Sequence, residues 1–271
     1  MNKLEKLKEL KKSVNINIDG INNYPLDSTV IIFSNHTCLM DIFYIPMILP
    51  KEIVSAISAR LIYKKDISRQ EIINDILNPI PIEAHGTKFY KEACINNASN
   101  VLESGISISI FPEGVYIKDK NMIYRGRTGG TRILFNALIN NSNIKLVPIS
   151  INYNEKINDI DSYYPDNNQV NIKILEPINY EKWFEMYMNT NDYDIRNNCL
   201  HAVTDLAMQS IAKSLNQDYS NNYFKLDPKD MIFPDGRLIS NTECLNKELQ
   251  EEYKNTLEES TKVLCRSINR K

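Results

Sequence analysis

A histidine and an aspartate stand close together in the segment Asn-His-Thr-Cys-Leu-Met-Asp at positions 35–41. The segment follows an apolar run typical of a buried strand and opens a predicted helix, so His36 falls at the sheet edge where open α/β folds place their sites. Asp41 can reach back to one imidazole nitrogen, fix the tautomer and leave the other nitrogen free to accept a proton from an alcohol. The alternative is structural, with Asp41 complementing the helix dipole.

Two further segments also follow or interrupt predicted strands. In Phe-Pro-Glu-Gly at 111–114, Pro112 ends the strand, Glu113 presents a carboxylate and Gly114 allows close backbone approach to a ligand. The alternative is a turn with a solvated glutamate. Val147-Pro148 places a proline inside an apolar run, which indicates an edge strand, or a bend that shapes a pocket.

Taken in this order, the three segments resemble the glycerolipid acyltransferase family, which includes lysophosphatidic acid and glycerol-3-phosphate acyltransferases. That family carries an Asn-His-x4-Asp motif, then Phe-Pro-Glu-Gly, then Val-Pro. Here His36 and Glu113 are separated by 77 positions. The lead-in segment 19–25 also looks like the family's Gly…Asn…Pro stretch, and the resemblance covers about residues 14–155.

The resemblance implies an acyl transfer that needs neither a metal nor a cofactor. His36 would deprotonate an acceptor hydroxyl, Asp41 would orient His36, and the donor would be acyl-CoA or an acyl carrier protein thioester. The loop of Pro112, Glu113 and Gly114 would help to hold the acceptor. The resemblance also implies an acyl tunnel beside the sheet. An acyl-carrying role for Cys38 is an alternative, although a buried cysteine is usually only a small hydrophobe.

The sequence departs from the family where the acceptor phosphate would bind. His85 stands at the place of a family arginine and is itself a candidate substrate contact, and Val115-Tyr116 replaces the Thr-Arg that often follows Phe-Pro-Glu-Gly. Neither histidine nor tyrosine offers the bidentate fork of arginine. Arg125 and Arg127 lie in a Gly-rich segment that enters a predicted helix, and they are candidate anion-binding residues; a plain helix-entry turn is the alternative.

These departures leave several functions open. The first is acyl transfer to a lysophosphatidate-like glycerolipid. The second is the same chemistry on a non-phosphorylated or carrier-bound metabolite with a hydroxyl or amine. The third is a non-catalytic module that binds acyl chains or a carrier protein. A thioesterase, with water in place of the alcohol, is a fourth.

Short strands alternate with helices along most of the chain, which predicts an α/β fold with a mostly parallel central sheet covered by helices on both faces and a helical C-terminal extension. Three parts are expected: a basic amphipathic helix over 1–13, an acyltransferase core over 14–178, and a mainly helical extension over 179–271 packed on the core. Strands are predicted over 14–18, 30–34, 53–57, 80–83, 106–111, 146–151 and 170–175. Helices are predicted over 41–49, 68–77, 88–102, 128–139, 180–189, 191–215 and 243–268, with 221–240 irregular.

Composition narrows the class of protein. The net charge of −2 and the pI near 6.0 do not suggest a nucleic-acid partner. Five cysteines without a CxxC pair predict neither a disulfide framework nor a zinc site. No apolar stretch is long enough for a transmembrane helix. We therefore expect a cytoplasmic protein, which is peripheral on the membrane if the Lys-rich helix over 1–13 contacts lipid; packing of that helix on the domain is the alternative.

Overall fold

The computed structural model describes residues 3–63, 73, 76–83, 86–117, 121–154, 169–226, 230–240 and 242–269. The strands are β1 Asn15–Asp19, β2 Thr29–Ser34, β3 Val54–Ser58, β4 Pro79–Ile82, β5 Ile108–Ile110, β6 Met122–Ile123, β7 Ile144–Tyr153, β8 Gln169–Ile174, β9 Asp218–Tyr219, β10 Met231–Ile232 and β11 Leu238–Ile239. The helices are α1 Lys3–Lys12, α2 Asp41–Ile48, α3 Ala59–Tyr63, α4 Lys88–Glu103, α5 Gly129–Leu138, α6 Glu181–Met188, α7 Tyr193–Leu215 and α8 Lys247–Asn269.

Seven strands form the central sheet, in the order β1-β8-β7-β2-β5-β3-β4. Every neighbouring pair is parallel except β7 and β8. Parallel strands need long crossovers, and here helices supply several of them. The predicted α/β architecture with a mostly parallel sheet is confirmed.

Apolar residues of β2 alternate between the two faces of the sheet. Val30 and Ile32 join one core cluster, together with side chains of α1 and α2. Ile31 and Phe33 join the opposite cluster, together with side chains of α4, α5 and α7. Because strand side chains alternate with a period of two, a strand buried on both faces reads as the continuous apolar run seen in the sequence.

Pro148 lies in the interior of the sheet, so an edge position is wrong. β7 sits between β2 and β8, and Pro148 is the register partner of Phe33. Its carbonyl accepts a hydrogen bond from the amide of Leu175, just beyond the last residue of β8. The ladder with β8 ends at this point, which lets an interior strand accommodate a residue that has no N–H.

The first helix packs on the core. Leu7 and Leu10 contact the cluster that contains α2, and the Lys11 ammonium donates to the Met47 carbonyl at 3.2 Å. Lys8 and Lys12 stay exposed. The apolar face of α1 is therefore packed on the domain, as the alternative interpretation expects. Contact of its lysine face with lipid stays a prediction.

The C-terminal helices share the core of the sheet. Cys199, Leu200 and Val203 of α7 belong to the same cluster as β2 and β5, and α8 packs on α4 through Tyr253 and Leu257. The segment predicted to be irregular contains a two-stranded antiparallel hairpin of β10 and β11. The helix predicted over 68–77 falls largely outside the described residues. The boundaries of the three predicted parts stay predictions. Among the residues that the structure describes, no helix combines the length and apolarity required to cross a bilayer.

Candidate active site

The candidate site lies at the carboxyl edge of the sheet, where β2 ends and β7 continues past it. The Asn35 side chain joins the two: its Nδ2 donates to the Ile151 carbonyl at 2.9 Å, and its Oδ1 accepts from the Ile151 amide at 2.8 Å. The Asn35 side chain thus makes with Ile151 the two hydrogen bonds that a further backbone pair between β2 and β7 would make. This clamp fixes the loop that carries His36 against β7.

The His36 imidazole is paired with the Asp41 carboxylate, as the spacing predicts. Nδ1 of His36 lies 3.0 Å from Oδ2 of Asp41. The same oxygen accepts from the amides of Thr37 at 2.6 Å and Cys38 at 2.9 Å. Asp41 is 0% exposed, and its contact with Nδ1 favours the Nδ1–H tautomer of His36.

Aromatic rings hold the imidazole from two sides. Phe111 stacks on it at 4.0 Å between centroids, and Tyr116 meets it edge-on at 4.5 Å. The amide of Ile117 donates to the His36 carbonyl at 2.7 Å. No described residue hydrogen-bonds Nε2, and His36 lines a cavity. The free nitrogen is therefore available to a substrate.

Glu113 is a buried clamp between two loops. Oε2 accepts from the His36 amide at 3.2 Å, and Oε1 accepts from the Tyr124 amide at 3.0 Å. The residue is 1% exposed, and burial raises its pKa to about 8. The solvated-turn alternative is wrong. The geometry gives Glu113 a supporting role for the His36 backbone, while acceptor contact by this residue stays a prediction.

Replacing Glu113 by glutamine should flatten the pH dependence of stability. Because the folded-state pKa is raised above the ordinary 4.5, the contribution of Glu113 is fully present below pH 4.5 and is lost as the pH rises through about 8. We expect the free energy of unfolding of the wild type to fall from pH 6 to pH 9, by about 1.4 kcal/mol for each pH unit between 6 and the folded-state pKa of about 8. Urea titrations at pH 6 and pH 9 measure it.

Glu243→Gln is the matched control, because Glu243 also accepts a backbone amide but does so at the surface. This variant should keep the wild-type slope above pH 6. Glu113→Gln should start less stable at pH 6, since its amide group opposes a backbone N–H, yet lose less on going to pH 9. Parallel curves for Glu113→Gln and wild type would contradict the assignment.

Pro112 and Gly114 bring the second loop against Arg127. The Arg127 amide donates to the Pro112 carbonyl at 2.8 Å. Gly114 has φ +76°, and a Cβ there would lie 3.6 Å from Arg127 Nε, so the glycine supplies a left-handed turn beside the guanidinium. Arg127 Nη2 donates to the Phe224 carbonyl at 3.0 Å, whereas Nε is buried without a hydrogen-bond partner in the described part of the chain. Burial lowers the pKa of Arg127.

Arg125 is engaged in an ion pair. Its Nε and Nη2 donate to the two carboxylate oxygens of Asp205 at 3.0 and 2.7 Å, and the hydrogen bond to Asp205 raises the pKa of Arg125. Tyr219 donates to the same carboxylate at 2.7 Å. The pair of guanidinium donors that would bind an anion is thus occupied by Asp205 of α7. His85, the other predicted substrate contact, lies outside the described residues.

A small cavity opens beside the His36 ring. Its volume is about 30 Å³, room for about two water molecules. The lining residues are Asn35, His36, Thr37, Glu113, Ile117, Met122, Ile123, Ile151, Asn152, Tyr153 and Gln217. Gln217 reaches it because β9 pairs in parallel with β6. The predicted acyl tunnel stays a prediction.

Three residues of the candidate site are not among the site residues predicted from the sequence. Asn35 was seen only as part of a motif, Gln217 lies in the C-terminal third, and Tyr153 donates to Asp41 Oδ1 at 2.5 Å from 112 positions away. No local signal marks Gln217 or Tyr153. The alternation of β7 could have indicated only that Tyr153 shares a face with Ile149 and Ile151.

The buried Cys38 thiol is poorly suited to carry an acyl group. It is 3% exposed, and burial together with the neighbouring Asp41 charge raises its pKa, so the reactive thiolate is suppressed. The described residues contain no group of three His, Cys, Asp or Glu side chains that could hold a metal.

Comparisons with known proteins identify the family. No curated protein matches this sequence. The crystal structure of the 1-acyl-sn-glycerophosphate (LPA) acyltransferase PlsC from Thermotoga maritima aligns with 77% of this chain and 79% of that chain, at 17% identity and a TM-score of 0.49. The family model named Acyltransferase matches residues 15–152, just over half of the chain and the whole segment from β1 to Asn152. With the motif residues of that segment gathered at one sheet edge, this chain belongs to the Acyltransferase family and is an acyltransferase.

Proposed function

We propose that this acyltransferase moves a fatty acyl group from a thioester, acyl-CoA or an acyl carrier protein, to an acceptor hydroxyl with His36 as general base. The hydroxyl proton passes to Nε2 of His36 as the oxygen attacks the thioester carbonyl. Collapse of the tetrahedral intermediate forms the ester, breaks the C–S bond and returns the proton to the thiolate. The observation that carries the proposal is the contact of Nδ1 with Asp41 in a histidine that also lines the cavity.

The acceptor proposed first is a lysophosphatidate-like glycerolipid. The resemblance of the motifs to glycerolipid acyltransferases supports it. Arg127 is the phosphate contact proposed here, because its Nε is buried beside Gly114 without a hydrogen-bond partner in the described part of the chain, whereas Arg125 is bound to Asp205.

Thiol release tests the function. Palmitoyl-CoA and a palmitoyl carrier protein would be offered with lysophosphatidate, with monoacylglycerol or with no acceptor, to the wild type and to His36→Ala. Acceptor-dependent release that disappears in the variant is expected. Release that ignores the acceptor, with free palmitate as product, would instead identify a thioesterase. Binding of the donor without release by any variant would favour the non-catalytic module.

A second acceptor class is favoured by the cavity itself. None of the cavity residues that the structure describes is a lysine or arginine, while Asn152 and Gln217 offer amides. Amide groups suit hydroxyls better than a dianionic phosphate. A non-phosphorylated or carrier-bound acceptor is therefore the competing proposal, and equal rates with monoacylglycerol and lysophosphatidate would support it.

Replacing Arg127 by alanine distinguishes the two acceptors. If Arg127 holds the phosphate, KM for lysophosphatidate should rise by about 10- to 100-fold, the cost of one or two charge-assisted hydrogen bonds. KM for monoacylglycerol should not change. Steady-state kinetics with both acceptors measure it.

Arg125→Ala is the matched control, because this neighbouring arginine is already paired with Asp205. It should affect both acceptors alike. If Arg127→Ala also affects both alike, the phosphate contact lies elsewhere.

A further inference from the structure

Tyr153, the last residue of β7, lies directly on the catalytic carboxylate. Its hydroxyl is 2.5 Å from Asp41 Oδ1 and 3.0 Å from Cys38 Sγ. The side chain is buried, with 7% of the residue exposed. The Acyltransferase model ends at residue 152, one position earlier, so the family match does not include this contact.

The protons in this group have one consistent arrangement. Tyr153 has a single hydroxyl proton, and the Asp41 carboxylate can only accept, so Tyr153 donates to Oδ1. Burial raises the pKa of Tyr153 well above its ordinary value, which keeps that proton in place. Cys38, whose pKa burial also raises, then donates its S–H to the Tyr153 oxygen. The chain of donors runs from Cys38 through Tyr153 to Asp41.

The two oxygens of Asp41 have separate partners. Oδ2 serves His36 and the amides of Thr37 and Cys38, all on the loop that follows β2. Oδ1 has one close donor among the described residues, Tyr153, and the Cys38 sulfur is farther away at 3.8 Å. Tyr153 thus holds the second oxygen of the carboxylate and, together with the donors on Oδ2, fixes the last side-chain torsion, which is intrinsically soft.

Tyr153 is itself held firmly. Its strand continues beyond β2, and the Asn35 side chain clamps Ile151, two residues before it, through two hydrogen bonds. The register with β8 pairs Tyr153 with Val170. The ring packs in the core cluster that contains α2, near Tyr44 at 6.2 Å between centroids.

We propose that Tyr153 is a positioning residue of this enzyme: its hydroxyl keeps the Asp41 carboxylate in the orientation that holds Oδ2 on Nδ1 of His36. This inference rests on the proposed general-base role of His36. Tyr153 acts through Asp41 and not on the substrate. Removing its hydroxyl should therefore weaken the orientation of His36 and leave substrate binding unchanged.

Tyr153→Phe tests the proposal, with Tyr180→Phe as the matched control. Tyr180 is also buried, in the core cluster on the other face of the sheet, and its hydroxyl donates to the Ile144 carbonyl. With palmitoyl-CoA and lysophosphatidate, Tyr153→Phe should lower kcat by about 10- to 100-fold and change KM by less than about twofold. The loss in kcat is the range found when a group that orients a metal-binding histidine is removed. Both variants should lower the urea midpoint of unfolding to a similar extent. Tyr180→Phe should nevertheless keep the wild-type kcat.

A measurement without substrate separates this inference from the proposed function. Nitrogen-15 NMR of histidine-labelled protein, with His36 assigned from His36→Ala, reports which ring nitrogen carries the proton. We expect His36 to be mainly the Nδ1–H tautomer in the wild type and in Tyr180→Phe, and a mixture of tautomers in Tyr153→Phe. An unchanged His36 spectrum in Tyr153→Phe overturns the proposal. So does a rise in KM with kcat unchanged, since it would place the hydroxyl on the substrate.

Discussion

Replacing His36 by alanine should lower kcat by about three orders of magnitude, within the range of about 10²- to 10⁴-fold that a positioned general base contributes. Of this pair, His36 lines the cavity, whereas Asp41 is fully buried and is not among the lining residues. KM should change little, since the ring contributes to proton transfer more than to ground-state binding. Thiol release in the presence of acceptor measures both constants.

His201→Ala is the matched control for this experiment. His201 lies on α7 and contacts the Tyr223 hydroxyl, and burial lowers its pKa. Its removal should leave kcat within about twofold of the wild type, as expected for a side chain outside the reacting group. A folded His36→Ala protein that keeps more than a tenth of the wild-type kcat would remove His36 from the mechanism.

Replacing Asp41 by asparagine should be at least as damaging, with kcat reduced by about 10³- to 10⁴-fold, close to the loss seen when the aspartate of a serine-protease triad is replaced by asparagine. Oδ2 of Asp41 accepts from His36 Nδ1 and from two backbone amides. An asparagine side chain has two possible orientations in this place. Its NH₂ group faces either those donors or the Tyr153 hydroxyl. The first orientation also selects the wrong tautomer of His36.

The same change should cost stability, because a buried donor would face backbone donors. We expect the free energy of unfolding to fall by about 2–3 kcal/mol, the cost of leaving buried polar groups unsatisfied. Asp192→Asn is the control: Asp192 also accepts two backbone amides, at 2.9 and 3.0 Å, but caps α7 at the surface. Asparagine caps helices as well as aspartate does, so this variant should match the wild type in urea titration and in kcat. Equal behaviour of the two variants would contradict a special role for Asp41.

Much of the fold was predictable because the strands are short apolar runs separated by turn residues. β2 shows this best, since burial on both faces leaves an unbroken run from Val30 to Phe33. Strand order was harder to predict, because register depends on contacts far apart in sequence. Pro148 illustrates the difficulty: a proline usually indicates an edge, but here an antiparallel ladder ends beside it within the sheet.

The contact between His36 and Asp41 was predictable for a local reason, whereas the residues that surround this pair were not predictable. His36 and Asp41 are joined by one loop and one helical turn, so their spacing alone suggests the contact that the structure has. Glu113 was expected to face outward, either to solvent or to the acceptor, and it is instead buried against the amides of two loops. Nothing near Arg125 in the sequence indicates that Asp205, 80 positions later, occupies its guanidinium.

The Glu113 side chain joins two segments at the carboxyl edge of the sheet into a single unit. One of its oxygens holds the loop after β2, and the other holds the strand β6 through its neighbour Tyr124. Opening either segment alone would strip a buried acid of one donor while the other stayed in place, so sub-global opening of this region is costly. Loss of activity on heating would then coincide with unfolding of the sheet rather than precede it.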